Sequence, residues 1–503
     1  MAPTFYITDA SMLKHRCEWD STHIEIPERL EGIIERISST GLETQCTRLP
    51  SRLATENEIL AVHTRKYYET IKASESMDLD AAEKLCTHFE DLYLNQHSYD
   101  SAMLSAGCAL TALDAVLKTE DAGCGFCIFN NVAICAKEAR KRGVERVLII
   151  DWDVHAGQGT QYCIEGDPGI KLVSIHRYED GCFWPNLPES GIEQPYSNTI
   201  NVPLDVPGYG NFEYAAFIDV FVRPIVADYK PELILVSCGY DAGYGDREGE
   251  MRVTPAAYGH MTGTLASLGI PLLLLLEGGY FIDALPYHAE RTIEALTERK
   301  PLNLPLNLPN EMPVLKNNFI DLLFACMRHH INKFPTFKAV FNCAKEANLI
   351  SSELGTPKYR GTRELEYPFP TRDVYPPFTD LEKFKNEFCN IVLPPYDQPV
   401  EKPRLKVHVN SSNDTVYVSL QNDSTKSQIV TFVPSANMKE RPKEALFFYY
   451  LVYLPLSWSF SLESWDAVLE VLSTVKGDSS LMAPKVTVSR EAVTVLNCIF
   501  IDI

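Results

Sequence analysis

Val147-Leu-Ile-Ile150, followed by Asp151-Trp-Asp-Val-His-Ala-Gly-Gln-Gly-Thr-Gln161, is the stretch of this 503-residue sequence that decides the fold. The apolar, β-branched run predicts a buried parallel strand, and the glycines after it predict a loop. Alternate side chains of an extended segment point the same way, so Asp151, Asp153 and His155 should converge at the carboxyl end of this strand. Open α/β folds bind ligands at that edge. The sequence therefore outlines a metal site.

The segments around this run predict an α/β fold up to about residue 300. Apolar strand-like runs alternate with amphipathic helix-like stretches, which is typical of a parallel sheet with helices on both faces. The predicted strands are Val147–Asp151, Leu172–His176, Leu233–Ser237 and Leu272–Leu276. The predicted helices are Arg29–Thr40, Ser101–Lys118, Asn131–Arg142, Tyr214–Tyr229 and Pro255–Leu268.

The character of the sequence changes after residue 300, which predicts three regions. Residues 1–300 form the α/β domain, and residues 301–403 form a linker that contains a helix near Asn318–His330 and is rich in proline. Residues 404–503 form a small β-containing C-terminal domain of unknown function. Its predicted strands are Leu405–Val409, Thr415–Leu420 and Gln428–Val433.

Composition narrows the partners that we expect. The net charge of −21 argues against a broad electrostatic surface for nucleic acid. The fourteen cysteines are scattered and no secretory signal opens the chain, so we expect reduced thiols and a protein of the cytoplasm or the nucleus. The sequence has no strong basic cluster, so nuclear entry stays open. The apolar run Ala445–Leu462 contains Pro455 and three serines, and we interpret it as core rather than as a membrane anchor.

Two further strand ends carry polar residues. Asp241 follows the strand Leu233–Ser237, and Tyr280 follows Leu272–Leu276 after the pair Gly278-Gly279. Two carboxylates and one histidine would leave a tetrahedral zinc ion with one open position, as in catalytic sites. Such an ion activates water and polarises a carbonyl group.

With these segments the sequence resembles the zinc-dependent histone deacetylase family, and within it class II. The resemblance spans about residues 5–300. The segments that carry it are Pro27–Leu30, Gly125–Ala133, Asp151–Gln161, Ser174–Tyr178, Phe183–Pro185, Gly239–Met251 and Glu277–Tyr280.

The resemblance implies an arginase-like α/β fold and a set of site residues. Zinc would be held by Asp153, His155 and Asp241, and Tyr280 would stabilise the acyl oxyanion. The remaining implied positions are the substrate-binding residues Phe126, Trp184, Glu248, Gly278 and Gly279, and a structural potassium site at Asp151, Asp153, His155 and Ser174.

The class IIb branch, whose members deacetylate tubulin or polyamines, is the most similar. Phe183-Trp184 and Gly249-Glu-Met251 match this branch, and Glu248 matches the acidic gatekeeper of its polyamine deacetylase. A carboxylate there would favour a cationic substrate. However, the segment Trp19–Pro27 lacks the short helical insertion of that enzyme, so the substrate class stays open.

One family feature is missing. The family has a tandem histidine after Pro-Gly, shortly before its Gly-Phe-Cys segment, whereas here Lys118 is followed directly by Thr119 and then by Gly125-Phe-Cys127. Ala156 also replaces a family histidine. Losing a general base costs about 10²- to 10⁴-fold in rate. The pair His329-His330 lies in a predicted surface helix, and we do not expect it to substitute.

The gap corresponds to about one strand and its loop. Losing an interior strand should cost more than the usual net stability of about 5–15 kcal/mol unless the sheet pairs again. The gap is either a property of the protein or the mark of a splice form or incomplete gene model. Two functions follow: a deacetylase acting on acetylated proteins or small acetylated amines, or a catalytically impaired pseudo-deacetylase that binds partners in a complex.

Overall fold

The computed structural model describes most of the first 300 residues and several later segments. The described ranges with side chains are 4–89, 92–117, 128–298, 318–338 and 380–389. Four further strands are described as backbone, at 404–410, 415–422, 425–432 and 497–500. The predictions for Phe126 and Ala445–Leu462 lie outside these ranges.

An eight-stranded parallel sheet forms the centre of the described molecule. Its order is β2-β1-β11-β7-β6-β3-β4-β5. The strands are β1 (Thr4–Ile7), β2 (Thr47–Arg48), β3 (Val147–Asp151), β4 (Ile170–Arg177), β5 (Thr199–Leu204), β6 (Leu233–Cys238), β7 (Leu272–Leu276) and β11 (Asn497–Phe500).

Helices cover both faces of this sheet. They are α1 (Glu28–Ser39), α2 (Glu56–Ile59), α3 (Arg65–Ala73), α4 (Leu79–Cys86), α5 (Ser98–Leu117), α6 (Asn131–Lys141), α7 (Gln158–Ile164), α8 (Asn211–Ala216), α9 (Arg223–Tyr229), α10 (Pro255–Ala266), α11 (Leu285–Glu298), α12 (Asn317–His330) and α13 (Leu381–Phe384). Short 3₁₀ turns lie at Ala10–Lys14, Leu42–Gln45, Ser74–Ser76, Glu179–Gly181 and Pro188–Ser190, and π-helical turns at Phe217–Val222 and Lys385–Cys389.

Side chains alternate between the two faces of the sheet along each strand, and this produces one hydrophobic core on each face. In β3, Leu148 and Ile150 join the core that contains α1, α10 and α11, whereas Val147 and Ile149 join the core that contains α5 and α6. Successive strand residues face opposite sides of the sheet. All five residues of β3 are therefore buried, and the predicted α/β class with helices on both faces is confirmed.

Most predicted elements have the expected bounds within a few residues. β3 and β7 match the prediction at both ends. The predicted helix Tyr214–Tyr229 is instead divided into α8, a π-helical turn and α9. The strands β1 and β5 were not predicted, because Thr4–Ile7 is short and Thr199–Leu204 contains Pro203 and two polar residues, Thr199 and Asn201.

The packed core continues past residue 300, where we placed the domain boundary. Phe319 and Phe324 of α12 are buried in the same core as the sheet. Residues 380–389 also pack onto the α/β part, because Phe384 joins Tyr244 and Ala284 in a smaller cluster. The proposed linker 301–403 thus contributes at least two segments to the folded body.

The region after residue 404 contains a separate antiparallel sheet. β8 (Arg404–Asn410), β9 (Thr415–Asn422) and β10 (Thr425–Phe432) pair in the order β10-β9-β8. These are the three strands that the alternating sequence predicted. The C-terminal region is therefore β-containing in its described part.

The position between β1 and β7 is filled from far along the chain. Residues 497–500 form β11, which pairs in parallel with β1 on one side and with β7 on the other. The sheet is continuous across this point in spite of the sequence gap after Lys118.

One described helix, α5, is long and apolar enough to cross a membrane by length and composition. Its most apolar window is 67% buried, and it lies against β1, β7 and β11. Packing against the sheet accounts for its apolar composition.

Candidate metal and active site

Three neighbouring strands bring the predicted ligands together. β7, β6 and β3 are adjacent in the sheet, so the loops that follow them meet at one edge. Asp153 and His155 follow β3, and Asp241 follows β6. One potential ligand atom from each of these side chains lies within 4.8 Å of the others.

Carboxylates fix the backbone of the loop after β3. The N–H of Asp153 donates to Oδ1 of Asp151 at 3.1 Å, and the N–H of His155 donates to Oδ1 of Asp153 at 2.9 Å. The N–H of Val154 donates to Oδ1 of Asp241 at 2.8 Å. These bonds leave Nδ1 of His155 at 3.2 Å from Oδ1 of Asp153 and 3.1 Å from Oδ2 of Asp241.

Two glycines make room for the carboxylates. A Cβ at Gly278 would lie 2.4 Å from Oδ2 of Asp241 and 2.7 Å from Oδ2 of Asp153. A Cβ at Gly239 would lie 2.2 Å from Oδ2 of Asp153. The N–H of Gly278 also donates to Oδ2 of Asp153 at 3.0 Å, which ties the loop after β7 to the ligand cluster.

The charged groups of the ligand cluster shift one another's pKa values. Burial and the charge of Asp153 raise the pKa of Asp241 to about 7. Burial disfavours the imidazolium of His155, but the hydrogen bonds and charges of Asp153 and Asp241 outweigh it and raise its pKa well above the usual value. Converging buried carboxylates of this kind are stabilised by a bound cation.

Asp151 belongs to a second, adjacent group. It is 3% exposed and pairs in register with Ser174 of β4, which is 1% exposed. Burial and the charge of Asp153 raise the pKa of Asp151 well above its usual value. Oγ of Ser174 lies 2.7 Å from Nδ1 of His176. The side chain of Asp151 therefore lies outside the three-ligand cluster, although we expected all three residues of the run to converge.

Aromatic side chains flank the histidine. The ring of Phe183 stacks on His155 at a centroid distance of 5.4 Å, and the ring of Trp184 lies edge-on at 5.7 Å. Trp184, a predicted wall residue, is half-buried beside the metal-ligand candidate His155. Phe126, the other predicted wall residue, is outside the described residues.

The loop that carries Tyr280 is held by residues that sequence reasoning did not select. Nε of Arg29 donates to the carbonyl of Gly279 at 2.6 Å, and its Nη2 donates to the carbonyl of Glu277 at 2.7 Å. The guanidinium lies 5.1 Å from the centroid of the Tyr280 ring. Arg29 is 1% exposed, and its place in the family-like segment Pro27–Leu30 was the only signal that the sequence offered.

Asp246 anchors the same loop from the other side. Its Oδ2 accepts from the N–H of Tyr280 at 2.6 Å and from the N–H of Phe281 at 3.2 Å. Its Oδ1 accepts from the N–H of Glu248 at 3.0 Å, so Asp246 also positions the predicted gatekeeper, which is half-buried. Burial and the charge of Asp241 raise the pKa of Asp246 to about 8.

Of the pair His329-His330, His329 is exposed, as we predicted for a surface helix, whereas His330 is buried. His330 is 1% exposed, because α12 packs on the sheet. Its neighbours include Lys171, at the amino end of β4, whereas the ligand cluster is at the carboxyl ends of the strands. The pair is therefore remote from the cluster. Ala156, inside the metal-site loop, is buried.

Fold and site together define a class of protein: a parallel α/β domain with a His-Asp-Asp cation site at the carboxyl ends of adjacent strands. The model of the histone deacetylase domain family matches residues 23–296. The chain belongs to this family.

Similar proteins include members of two class II branches. The polyamine deacetylase HDAC10 of Danio rerio is 38% identical over 317 residues, which cover 58% of this chain and 47% of that protein. The histone deacetylase HDA1 of Saccharomyces cerevisiae is 33% identical over 334 residues, which cover 59% of this chain and 47% of that protein. The chain thus spans about half the length of these relatives.

A solved structure supports the fold assignment. The crystal structure of the HDA15 HD domain superposes with a TM-score of 0.58 at 28% identity, and the match covers 67% of this chain and 98% of that one. The arginase/deacetylase-like fold implied by the sequence is therefore confirmed.

Proposed function

We propose that this protein is a zinc-dependent deacetylase that hydrolyses N-acetyl groups of lysine side chains or of small acetylated amines. The observation that carries the proposal is the convergence of Asp153, His155 and Asp241 beside the Gly278-Gly279-Tyr280 loop. Membership in the histone deacetylase family supports the same reaction class.

The donor set fits zinc. Two carboxylates and one imidazole are ligands that Zn²⁺ accepts, and three protein ligands leave a coordination position open. Asp153, His155 and Asp241 would hold the ion. When bound, zinc activates a water molecule and polarises the acetyl carbonyl.

Other side chains would stabilise the oxyanion and surround the acyl group. Tyr280 would donate its hydroxyl to the negative charge that develops on the carbonyl oxygen, a contribution worth about 2.7–4 kcal/mol in comparable sites. Arg29 and Asp246 hold the backbone that carries Tyr280. Phe183 and Trp184 flank His155 and would exclude water from the acyl group.

We propose Glu248 as the residue that selects a cationic amine. Its backbone is fixed by Asp246, and its carboxylate would attract the ammonium groups of an acetylated polyamine. The similarity to the polyamine deacetylase HDAC10 of Danio rerio supports this substrate. Replacing Glu248 with Leu should lower kcat/KM for an acetylated polyamine by roughly tenfold and leave that for an uncharged acetyl-lysine peptide unchanged.

A second candidate function is a binding module without turnover. The sequence lacks the tandem histidine after Lys118, and Ala156 replaces another family histidine. A pseudo-deacetylase of this kind would retain the metal ligands and recognise acetylated partners within a protein complex.

One assay separates the two functions. The zinc-loaded chain is incubated with an acetyl-lysine peptide and with an N-acetylated polyamine, beside an Asp241→Ala variant. We expect hydrolysis above the variant, about 10²- to 10⁴-fold slower than that of a relative with the tandem histidine. Equal rates for the two chains would establish the pseudo-deacetylase. Inserting the corresponding HDAC10 segment after Lys118 should raise the rate.

We also propose a structural potassium site at Asp151, Asp153, His155 and Ser174. Within the described part of the chain, no basic side chain forms an ion pair with Asp151, and burial and the charges of Asp153, Glu277 and Asp241 raise its pKa. A monovalent cation there would offset this buried charge.

For the localisation we propose the cytoplasm and the nucleus, where an acetylated protein or amine substrate would be met.

A further inference from the structure

β11 (residues 497–500) lies in the groove between β1 and β7, and we propose that it replaces there the interior strand that is missing after Lys118 and so holds the loop that carries Tyr280. The family-type sheet would then be completed by a strand from the C-terminal region. This inference is independent of whether the site turns over a substrate.

β11 comes from a part of the chain that is distant in sequence from the other strands of the sheet. The seven other strands of the sheet come from residues 4–276, and β11 comes from residues 497–500. β1 and β7 do not pair with each other. Thr4 and Leu272 pair with Asn497, and Ile7 and Leu275 pair with Phe500, so β11 runs in register with both neighbours.

With β11 in place, the strands that flank the groove are buried. All five residues of β7 are buried, and Ile7 at the end of β1 is fully buried. Without β11, the facing N–H and C=O groups of both strands would lie inside the protein without backbone partners. Buried backbone groups are almost always paired, so an unfilled groove would be unstable.

The sequence of β11 favours a strand in the interior of a sheet. Asn497-Cys-Ile-Phe500 lies within the run Ala492–Ile501, which is rich in β-branched residues and contains no proline. Residues of this kind favour strands, and a proline would remove a ladder hydrogen bond. The segment is therefore suited to an interior position.

The groove also lies beside the sequence gap. Helix α5 ends at Leu117, immediately before the gap, and packs against β1, β7 and β11. A strand following α5 would have had this groove within reach. The C-terminal strand thus provides the new pairing that the loss of an interior strand demands.

The groove has a direct connection to the candidate site. β7 continues into Glu277 and the Gly278-Gly279-Tyr280 loop, and it is held on one side by β6 and on the other by β11. Removing β11 would leave β7 with one partner. We therefore expect the loop with Tyr280 to loosen when β11 is displaced.

Proline substitution in the full-length chain tests the pairing. Ile499→Pro removes an N–H in the middle of β11, and Ile503→Pro, beyond the strand, is the matched control. Hydrogen exchange of the amides in β1 and β7 should accelerate by at least about tenfold in Ile499→Pro and stay unchanged in the control. A peptide of residues 494–503 should restore protection, and the same peptide with Ile499→Pro should not. Unchanged exchange in both variants would overturn the proposal.

Cross-linking provides a test that does not depend on folding of a proline variant. Phe500 is replaced by benzoylphenylalanine in the otherwise native chain, and ¹⁵N-labelled and unlabelled proteins are mixed before irradiation. We expect cross-links to peptides that contain Ile7 or Leu275, within one isotopic form. Cross-links elsewhere, or between the two isotopic forms as in a strand-swapped dimer, would contradict the assignment.

Discussion

The backbone at Gly278 touches both carboxylates of the ligand cluster. A methyl group there would lie 2.4 Å from Oδ2 of Asp241 and 2.7 Å from Oδ2 of Asp153, so both carboxylates or the loop itself must move. Ligand geometry is sensitive to such displacements, and even altered support of a ligand costs about 10- to 100-fold in metal affinity. The metal site therefore requires a glycine at position 278.

We predict that Gly278→Ala weakens zinc binding by at least about 100-fold. The matched control is Gly159→Ala, because a Cβ there meets its nearest atom at an ordinary 3.5 Å. Competition with a chromophoric chelator measures both affinities. Equal zinc affinities in the two variants would show that the carboxylates are not held as described.

Asp246 holds the backbone of the loop that carries Tyr280. Asp246→Ala leaves the partly buried N–H groups of Tyr280 and Phe281 without this acceptor, which costs about 1–3 kcal/mol for each group. Urea unfolding should therefore show a decrease of about 2–6 kcal/mol in the free energy of unfolding. Arg247→Ala, at an exposed neighbouring residue, should change stability by less than about 0.5 kcal/mol. A loss for Arg247→Ala as large as that for Asp246→Ala would remove the special role of the carboxylate.

Helix α12 places His330 in the core at the end of the sheet opposite the metal site. Burial lowers the pKa of His330 to about 3, and neither ring nitrogen has a hydrogen-bond partner among the described residues. The unfolded chain takes up this proton near pH 6.5, whereas the folded chain does not. The folded state therefore loses stability as the pH falls from 6.5 towards 3.

We predict that His330→Leu reduces this acid sensitivity. At pH 5 the variant should lack a destabilisation of about 2 kcal/mol that the native histidine causes relative to pH 7. Denaturant titrations of metal-free protein at pH 7 and pH 5 measure the difference. The exposed neighbour variant His329→Leu is the control and should retain the native pH dependence. An identical pH dependence for His330→Leu would contradict the burial of His330.

The elements that sequence predicted well are those with strong local signals. Val147–Asp151 and Leu272–Leu276 are continuous apolar runs that end at polar loop residues, so the strands and the convergence of Asp153, His155 and Asp241 followed from periodicity and strand order. The burial of α12 was missed because its apolar face has no local marker of the surface that it contacts. Arg29 and Asp246 were missed because their bonds are to backbone groups distant in sequence.

At the scale of the whole molecule, the sheet is assembled from two distant parts of the chain. No periodicity in Asn497–Phe500 indicates that it pairs between β1 and β7, because strand partners are chosen by three-dimensional packing. The gap after Lys118 predicted only that the sheet must pair again or lose its stability. The completed sheet positions the three loops on which the proposed chemistry depends.

Zinc stoichiometry is the most direct test of the central claim that Asp153, His155 and Asp241 hold one zinc ion. Equilibrium dialysis followed by metal analysis is carried out on the native chain, on Asp241→Ala and on Asp100→Ala, an exposed control. We predict that the native chain and Asp100→Ala each bind one zinc ion more than Asp241→Ala. Equal zinc content in all three proteins would contradict it.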